Sequence, residues 1–204
     1  MATILLKHLA QLYTGFTIRE SIEYLDYGEV KAIQIKDLPK KTHHIDTQIL
    51  TGIEWRYDSK PQFLPHHALL LLARGEPTAY LFDGQASDKV VASNPFIVII
   101  LQTDKLLPEY LLWYMNHAQT AKNHFASFIR GNAFAITTLT TVKELPISIP
   151  TLAEQADIVW RHQQAILEAQ RFERLIALRQ AYNLALAEQI LNPLTDIKEL
   201  LIVT

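Results

Sequence analysis

Between Thr151 and Asn192 the chain contains neither glycine nor proline, whereas all six glycines and eight of the nine prolines precede residue 151. That uninterrupted stretch limits the possible folds more than any other feature. Pro150 closes the preceding segment, and Thr151-Leu152-Ala153-Glu154 spells a capping box. In such a box the threonine hydroxyl accepts from the N3 amide while the glutamate reaches back to the N-cap amide. Asn192-Pro193 supplies the stop. The spacing therefore predicts one helix over 151–192, roughly 60 Å long at about 1.5 Å per residue. No core of this size needs a helix so long. An apolar stripe runs along it through Ile158, Ala165 or Ile166, Ala169, Phe172, Leu175 or Ile176, Tyr182, Leu186 and Ile190. Such a stripe requires a partner helix. His162 and Arg179 fall near the seam, so the expected pairing is a short or irregular antiparallel coiled coil.

The first 150 residues follow another grammar. "VKAIQIKDL" (30–38) alternates apolar and polar positions, and "HALLLLARG" and "NPFIVIILQ" are short apolar runs closed by turn residues. Each reads as a strand. "PISIP" sets prolines against Ile147 and Ile149, a pattern suited to an edge strand. Residues 107–129 read as a helix, with Pro108 and Glu109 in the first turn and Leu112, Met115 and Phe125 facing inward. Strands and helices do not alternate regularly and nothing repeats. The expected fold class is thus α+β: a mixed domain of short strands over 1–150, a long C-terminal helix for coiled-coil pairing over 151–192, and a tail over 193–204.

Composition removes several functions. The chain has no cysteine, so it holds no disulfide, thiolate nucleophile or cysteine-bound zinc. Its longest apolar runs, Ala68–Ala73 and Phe96–Leu101, are too short to span a bilayer, and the N-terminus does not read as a signal peptide. A soluble, cytoplasmic protein is expected. The net charge is −2, so any attraction to nucleic acid must be local. Enzyme motifs are scarce. Asn94-Pro95-Phe96 shares two positions with the Asn-Pro-Pro-aromatic loop of amino-methyltransferases but lacks its second proline, and no glycine-rich cofactor loop precedes it. Glu54, Asp58 and Lys60 have loosely nuclease-like spacing within an ordinary polar turn. Two histidine pairs, His43-His44 and His66-His67, stand without a carboxylate at ligand spacing, and adjacent strand residues point to opposite faces. No metal or other cofactor is expected.

The order of these pieces resembles the specificity subunit of type I restriction-modification systems. "YTGFT", "IQIKDL", "LLLLARG", "LPEYLLWYMN" and "FIRGNAFAITTLT" precede "LPISIPTLAEQADIV" and the long helix. At the strand-to-helix junction the family reads like I-P-x-P-x-L-x-E-Q-x-x-I-V. This chain keeps Ile149, Pro150, Leu152, Glu154, Gln155, Ile158 and Val159 of that pattern, and Gly131, Ile136 and Leu139 match a second one. His66-His67-Ala68 stands where the family often has Gly-Asp, and Phe16-Thr17 where it often has Thr-Pro. A typical member carries two target recognition domains and two spacer helices, so this chain looks like a half-sized form. The resemblance implies a non-catalytic subunit whose domain reads one half of a two-part double-stranded DNA target. It also implies that the helix docks methyltransferase subunits and, through them, the restriction subunit. The missing half would come from a second copy of the chain. The alternatives are a stand-alone nuclease or DNA methyltransferase, or a DNA-binding decoy.

For DNA contact the candidates are Lys36, Lys40, Lys41, Arg56, Lys60, Arg74, Lys122, Arg130 and Asn132. The domain holds fourteen lysines and arginines against fourteen carboxylates over 1–150, so charge alone selects none of them. "KDLPKKTHH" (36–44) is the least ordinary stretch, with three lysines and two histidines against one aspartate. A loop of this kind can approach phosphates. Arg74 and Arg130 adjoin glycines, and arginine is the side chain best suited to bidentate contact with guanine. Trp113-Tyr114 is expected in the core. Ile158, Ile166, Phe172, Ile176, Tyr182, Leu186 and Ile190 form the expected partner face of the helix.

Overall fold

The computed structural model describes residues 2–17, 28–50, 52–55, 60–128 and 136–191. Arg56, Arg130, Asn132 and the 193–204 tail lie outside the described residues. In chain order the strands and helices are β1 Ala2–Leu5, β2 Ala10–Thr14, β3 Val30–Ile33, β4 His44–Ile45, β5 Gly52–Ile53, β6 Leu69–Leu72, β7 Thr78–Phe82, β8 Val90–Ala92, β9 Phe96–Leu101, α1 Pro108–His117, α2 Gln119–Phe128, α3 Leu139–Lys143, β10 Pro146–Ile149 and α4 Leu152–Leu191. The chain divides into two units, the first running to Val159 and the second starting at Trp160.

The first unit is built on a five-stranded sheet ordered β2-β9-β6-β7-β4. Its strands are antiparallel except for β4, which runs parallel to β7. Side chains alternate across a strand, and here both faces are apolar. Leu69, Leu71, Ala79, Leu81, Ile97 and Ile99 join one core with the inward faces of α1, α2 and α3. Leu70, Phe82, Phe96 and Val98 point the other way, into a core shared with Ile33, Val90 and Ala92 of a three-stranded sheet ordered β5-β3-β8. That double burial explains why "LLLL" and "FIVIIL" read as unbroken apolar runs. A small third cluster of Val30, Ala32, Ile53 and Val91, with Phe16 and Trp55, lies beyond. There the Phe16 and Trp55 rings meet edge to face at 4.9 Å.

Exposed sheet edges are covered by side chains. β10 pairs with β1 alone. Tyr110 and Tyr114 donate their hydroxyls to the Ser148 and Pro146 carbonyls, each at 2.9 Å. Both tyrosines are buried, so the "LLWY" helix belongs to the core, with Trp113 half-buried beside Tyr110. β4 covers only the end of β7, and beyond it the Asn116 side chain takes over. Its Oδ1 accepts from the Ala79 amide at 2.8 Å and its Nδ2 donates to the Ala79 carbonyl at 2.9 Å. A strand edge capped in this way offers no template for further pairing. Gly15 is required by crowding: a Cβ there would collide with the Ser93 and Ala92 carbonyl oxygens, where the backbone of Phe16 pairs with that turn.

Two elements end earlier than their sequence pattern does. The alternation of "VKAIQIKDL" stops being a strand at Ile33, because the Asp37 carboxylate accepts the Gln34 amide at 2.9 Å and turns the chain into a 3-10 helix at Ile35–Asp37. The helix expected over 107–129 is two helices, broken where Ala118 is extended, two residues after the Asn116 contact. Helix α4 is continuous for 40 residues. Its capping box is formed: the Thr151 amide donates to Glu154 Oε2 at 2.8 Å, and the Glu154 amide donates to Thr151 Oγ1 at 3.3 Å. The Thr151 hydroxyl, which donates to Glu154 Oε2 at 2.8 Å, and then the Thr151 amide hold the Glu154 carboxyl below the usual carboxylate range. Among the described residues, no helix is long and apolar enough to cross a membrane.

Candidate nucleic-acid interface

The lysine-rich loop is fixed at both ends by isoleucines that are fully buried. Ile33 closes β3 in the three-stranded sheet, and Ile45 sits in β4 at the edge of the five-stranded sheet. The loop between them crosses from one sheet to the other. A buried Leu or Ile side chain contributes about 1.5–3 kcal/mol, so two such anchors hold the ends firmly while the loop stays outside. Lys36, on the 3-10 helix, and Lys40 and Lys41, beyond it, are exposed. Lys60 is exposed on the approach to β6.

Arg74 stands at the other end of β6. Its backbone forms an antiparallel bridge with Ile136, the first described residue after the segment carrying Arg130 and Asn132. Two flanking bonds fix it: the Ala73 amide donates to the Pro95 carbonyl at 2.8 Å, and the Thr137 amide to the Ala73 carbonyl at 2.8 Å. Gly75 follows at φ 80°, the left-handed region that favours glycine. The arginine side chain is thus exposed on a rigid corner. Asn94-Pro95 serves this corner as a turn between β8 and β9. Lys122 is exposed on α2, in the helical layer on the opposite side of the central sheet from the lysine-rich loop. The fold gathers Lys36, Lys40 and Lys41 in one loop and distributes Arg74 and Lys122 elsewhere.

Histidines accumulate beside the lysine-rich loop. His43 lies 5.5 Å from the Tyr80 ring and 6.4 Å from the His117 ring, centroid to centroid. His44 Nδ1 is 3.1 Å from Asp83 Oδ1, and His66 Nδ1 is 3.0 Å from the Gly84 carbonyl. The strand expected to hold His66 and His67 with opposed side chains is absent there. They occupy a turn instead, where His67 takes φ 62° and the two rings lie 3.6 Å apart. His67 Nε2 is 3.9 Å from Glu109. Sequence reading places only His43-His44 near DNA. His66, His67 and His117 join them through the pairing of β4 with β7, which no local pattern announces. Imidazole nitrogens can donate to or accept from phosphate oxygens. Among the described residues, no group of three or more histidine and carboxylate side chains has metal-binding geometry.

On α4, Ile158 and Val159 are half-buried against the first core, so this part of the stripe packs on its own domain. From Trp160 onward the apolar side chains are exposed: Ile166, Phe172, Ile176, Tyr182, Leu186 and Ile190 all remain open, with Phe172 at 64% and Ile190 at 78%. The Arg179 guanidinium lies over the Tyr182 ring, 5.7 Å from its centroid.

Several solved structures share this fold, among them the following three. The HsdS subunit from Thermoanaerobacter tengcongensis matches with a TM-score of 0.70 at 17% identity, over 96% of this chain and 51% of that one. A chain from a study of complex assembly and conformational transition of the type I R-M system matches with a TM-score of 0.65 at 17% identity, over 94% of this chain and 44% of that one. The type I restriction-modification system S subunit from M. genitalium matches with a TM-score of 0.52 at 12% identity, over 92% of this chain and 45% of that one. The chain thus spans about half the length of the structures it matches. Among curated proteins nothing matches. The family model described as the type I restriction modification DNA specificity domain aligns with residues 1–181, and the chain belongs to that family.

Proposed function

We propose that this chain is a half-sized DNA specificity subunit of a type I restriction-modification complex. The domain reads one half of a two-part double-stranded target in the cytoplasm, and α4 docks methyltransferase subunits, through which the restriction subunit joins. The chain supplies recognition and spacing and no catalytic group. In keeping with this, Asn94-Pro95 is engaged as a strand-connecting turn, its proline carbonyl bonded to Ala73.

The observation that carries the reading is the exposed apolar helix in a family whose solved structures are about twice as long. Exposed apolar surface of this extent calls for a partner. A second copy of the chain supplies both a matching helix and the second recognition domain. Copies related by a two-fold axis read a site with the same symmetry.

Co-expression with the accompanying methyltransferase, followed by mapping of methylated bases, tests the proposal. The expected result is methylation at an interrupted palindrome of fixed spacer length. An asymmetric two-part site would replace the second copy with a different half-subunit. Absence of methylation at any defined sequence would overturn the reading.

A further inference from the structure

Gln155 is the one helix residue of α4 with no exposure at all, and its side-chain amide makes three hydrogen bonds to backbone groups. Oε1 accepts from the Leu107 amide at 2.8 Å. Nε2 donates to the Lys105 carbonyl at 2.8 Å and to the Pro150 carbonyl at 2.9 Å. Two pieces of chain meet α4 there: the connection from β9 to α1, through Lys105 and the N-cap residue Leu107, and Pro150, which follows β10. Gln155 thus takes the backbone amide of Leu107, the N-cap residue of α1.

A leucine at this position would bury more apolar surface, and burial alone does not demand an amide. Apolar contacts are non-directional and let a helix turn or slide on its seat. Three convergent hydrogen bonds to fixed backbone groups define one position and one rotation. Ile158 and Val159, one turn further on, pack against the same domain. The Thr151–Glu154 capping box stops the helix from fraying ahead of the amide.

The geometry points to Gln155 as a positioning residue for spacer length: it locks the first two turns of α4 into the recognition domain, so that the spacer helix starts from a fixed point. This rests on the reading of the chain as one half of a two-part recognition unit. Side chains that touch DNA bases would set which half-site is read. Gln155 would set how tolerant the complex is of the distance between half-sites.

The test uses Gln155→Met, similar in length and without the hydrogen bonds, in the full chain. Ile147→Val, a core change elsewhere in the domain, serves as a control for general destabilisation. In the free protein, hydrogen exchange at the Leu107 amide and across 155–159 should quicken at least 10-fold in Gln155→Met and not in the control. In complex with the methyltransferase, targets of varied spacer are then compared. Half-site preference should be retained, while the preference for the best spacer over one base pair longer or shorter should fall at least 10-fold. Unchanged exchange overturns the proposal. So does faster exchange with spacer preference intact, or equal loss of half-site and spacer preference. If the unsubstituted complex methylates no two-part target, the functional reading fails and the spacer role falls with it. The exchange result then decides only whether Gln155 forms the joint.

Discussion

At the scale of single residues, placement decides more than residue type. Lys36, Lys40 and Lys41 share one exposed loop, so replacing all three with alanine should weaken binding to every DNA sequence alike. The log–log salt dependence of binding should flatten by about one unit for each phosphate that the variant no longer neutralises. An unchanged slope in fluorescence anisotropy titrations would place the phosphate-binding surface elsewhere on the domain. Arg74→Ala, on the rigid corner beside Gly75, should instead reduce discrimination between sequences, by about 1–3 kcal/mol if it reads a base pair. Tyr13 makes a different point. Its hydroxyl is buried without a hydrogen-bond partner among the described residues, and burial pushes the phenol up from 10.0 to about 12. A raised acid is held neutral by the fold, so its contribution is complete below pH 10 and is lost as pH climbs toward 12. Tyr110, pushed up to about 12 by burial and then by Tyr114, adds to the same loss. Tyr13→Phe should leave stability at pH 8 equal or raise it by up to about 1 kcal/mol. It should also lessen the fall in urea midpoint between pH 9 and 11. An equally steep fall would mean that Tyr13 plays no part.

At the scale of elements, periodicity is a sound guide to existence and a poor one to extent. The pattern of Val30, Ala32 or Ile33, and Ile35 runs past Ile33, where the strand stops because a local bond from the Gln34 amide to Asp37 outcompetes sheet pairing. Residues 109–128 contain no helix breaker, yet the helix divides at Ala118. The contact next to the break is tertiary: Asn116 grips the exposed backbone of Ala79, which is 37 residues away. Helix α4 is the opposite case. Its start and its length follow from Pro150, the capping box and the absence of breakers, all of which are local.

At the scale of the whole molecule, assembly follows from what the chain leaves exposed. The Phe172 and Ile176 side chains are 64% and 58% exposed in the second unit. Under the proposed pairing of two copies, replacing both with serine should leave only monomer in light scattering and keep the first unit folded by near-ultraviolet circular dichroism. A chain that is monomeric before substitution, alone and with the methyltransferase present, would exclude pairing of two copies. The sequence by itself determined the division into a strand-rich domain and one long helix, because glycine, proline and capping residues act on their immediate neighbours. It also determined the apolar runs of β6 and β9, since a strand buried on both faces must be apolar at every position. Only the tertiary structure decided which basic and imidazole side chains share a surface. His43 and His117 are 74 positions apart in sequence, and their rings meet because β4 docks on β7 and α1 packs beside it. The same holds for the buried Gln155 amide. Its residue type is visible in the junction motif, but its partners at Lys105 and Leu107 lie about 50 residues upstream, beyond the reach of any local pattern.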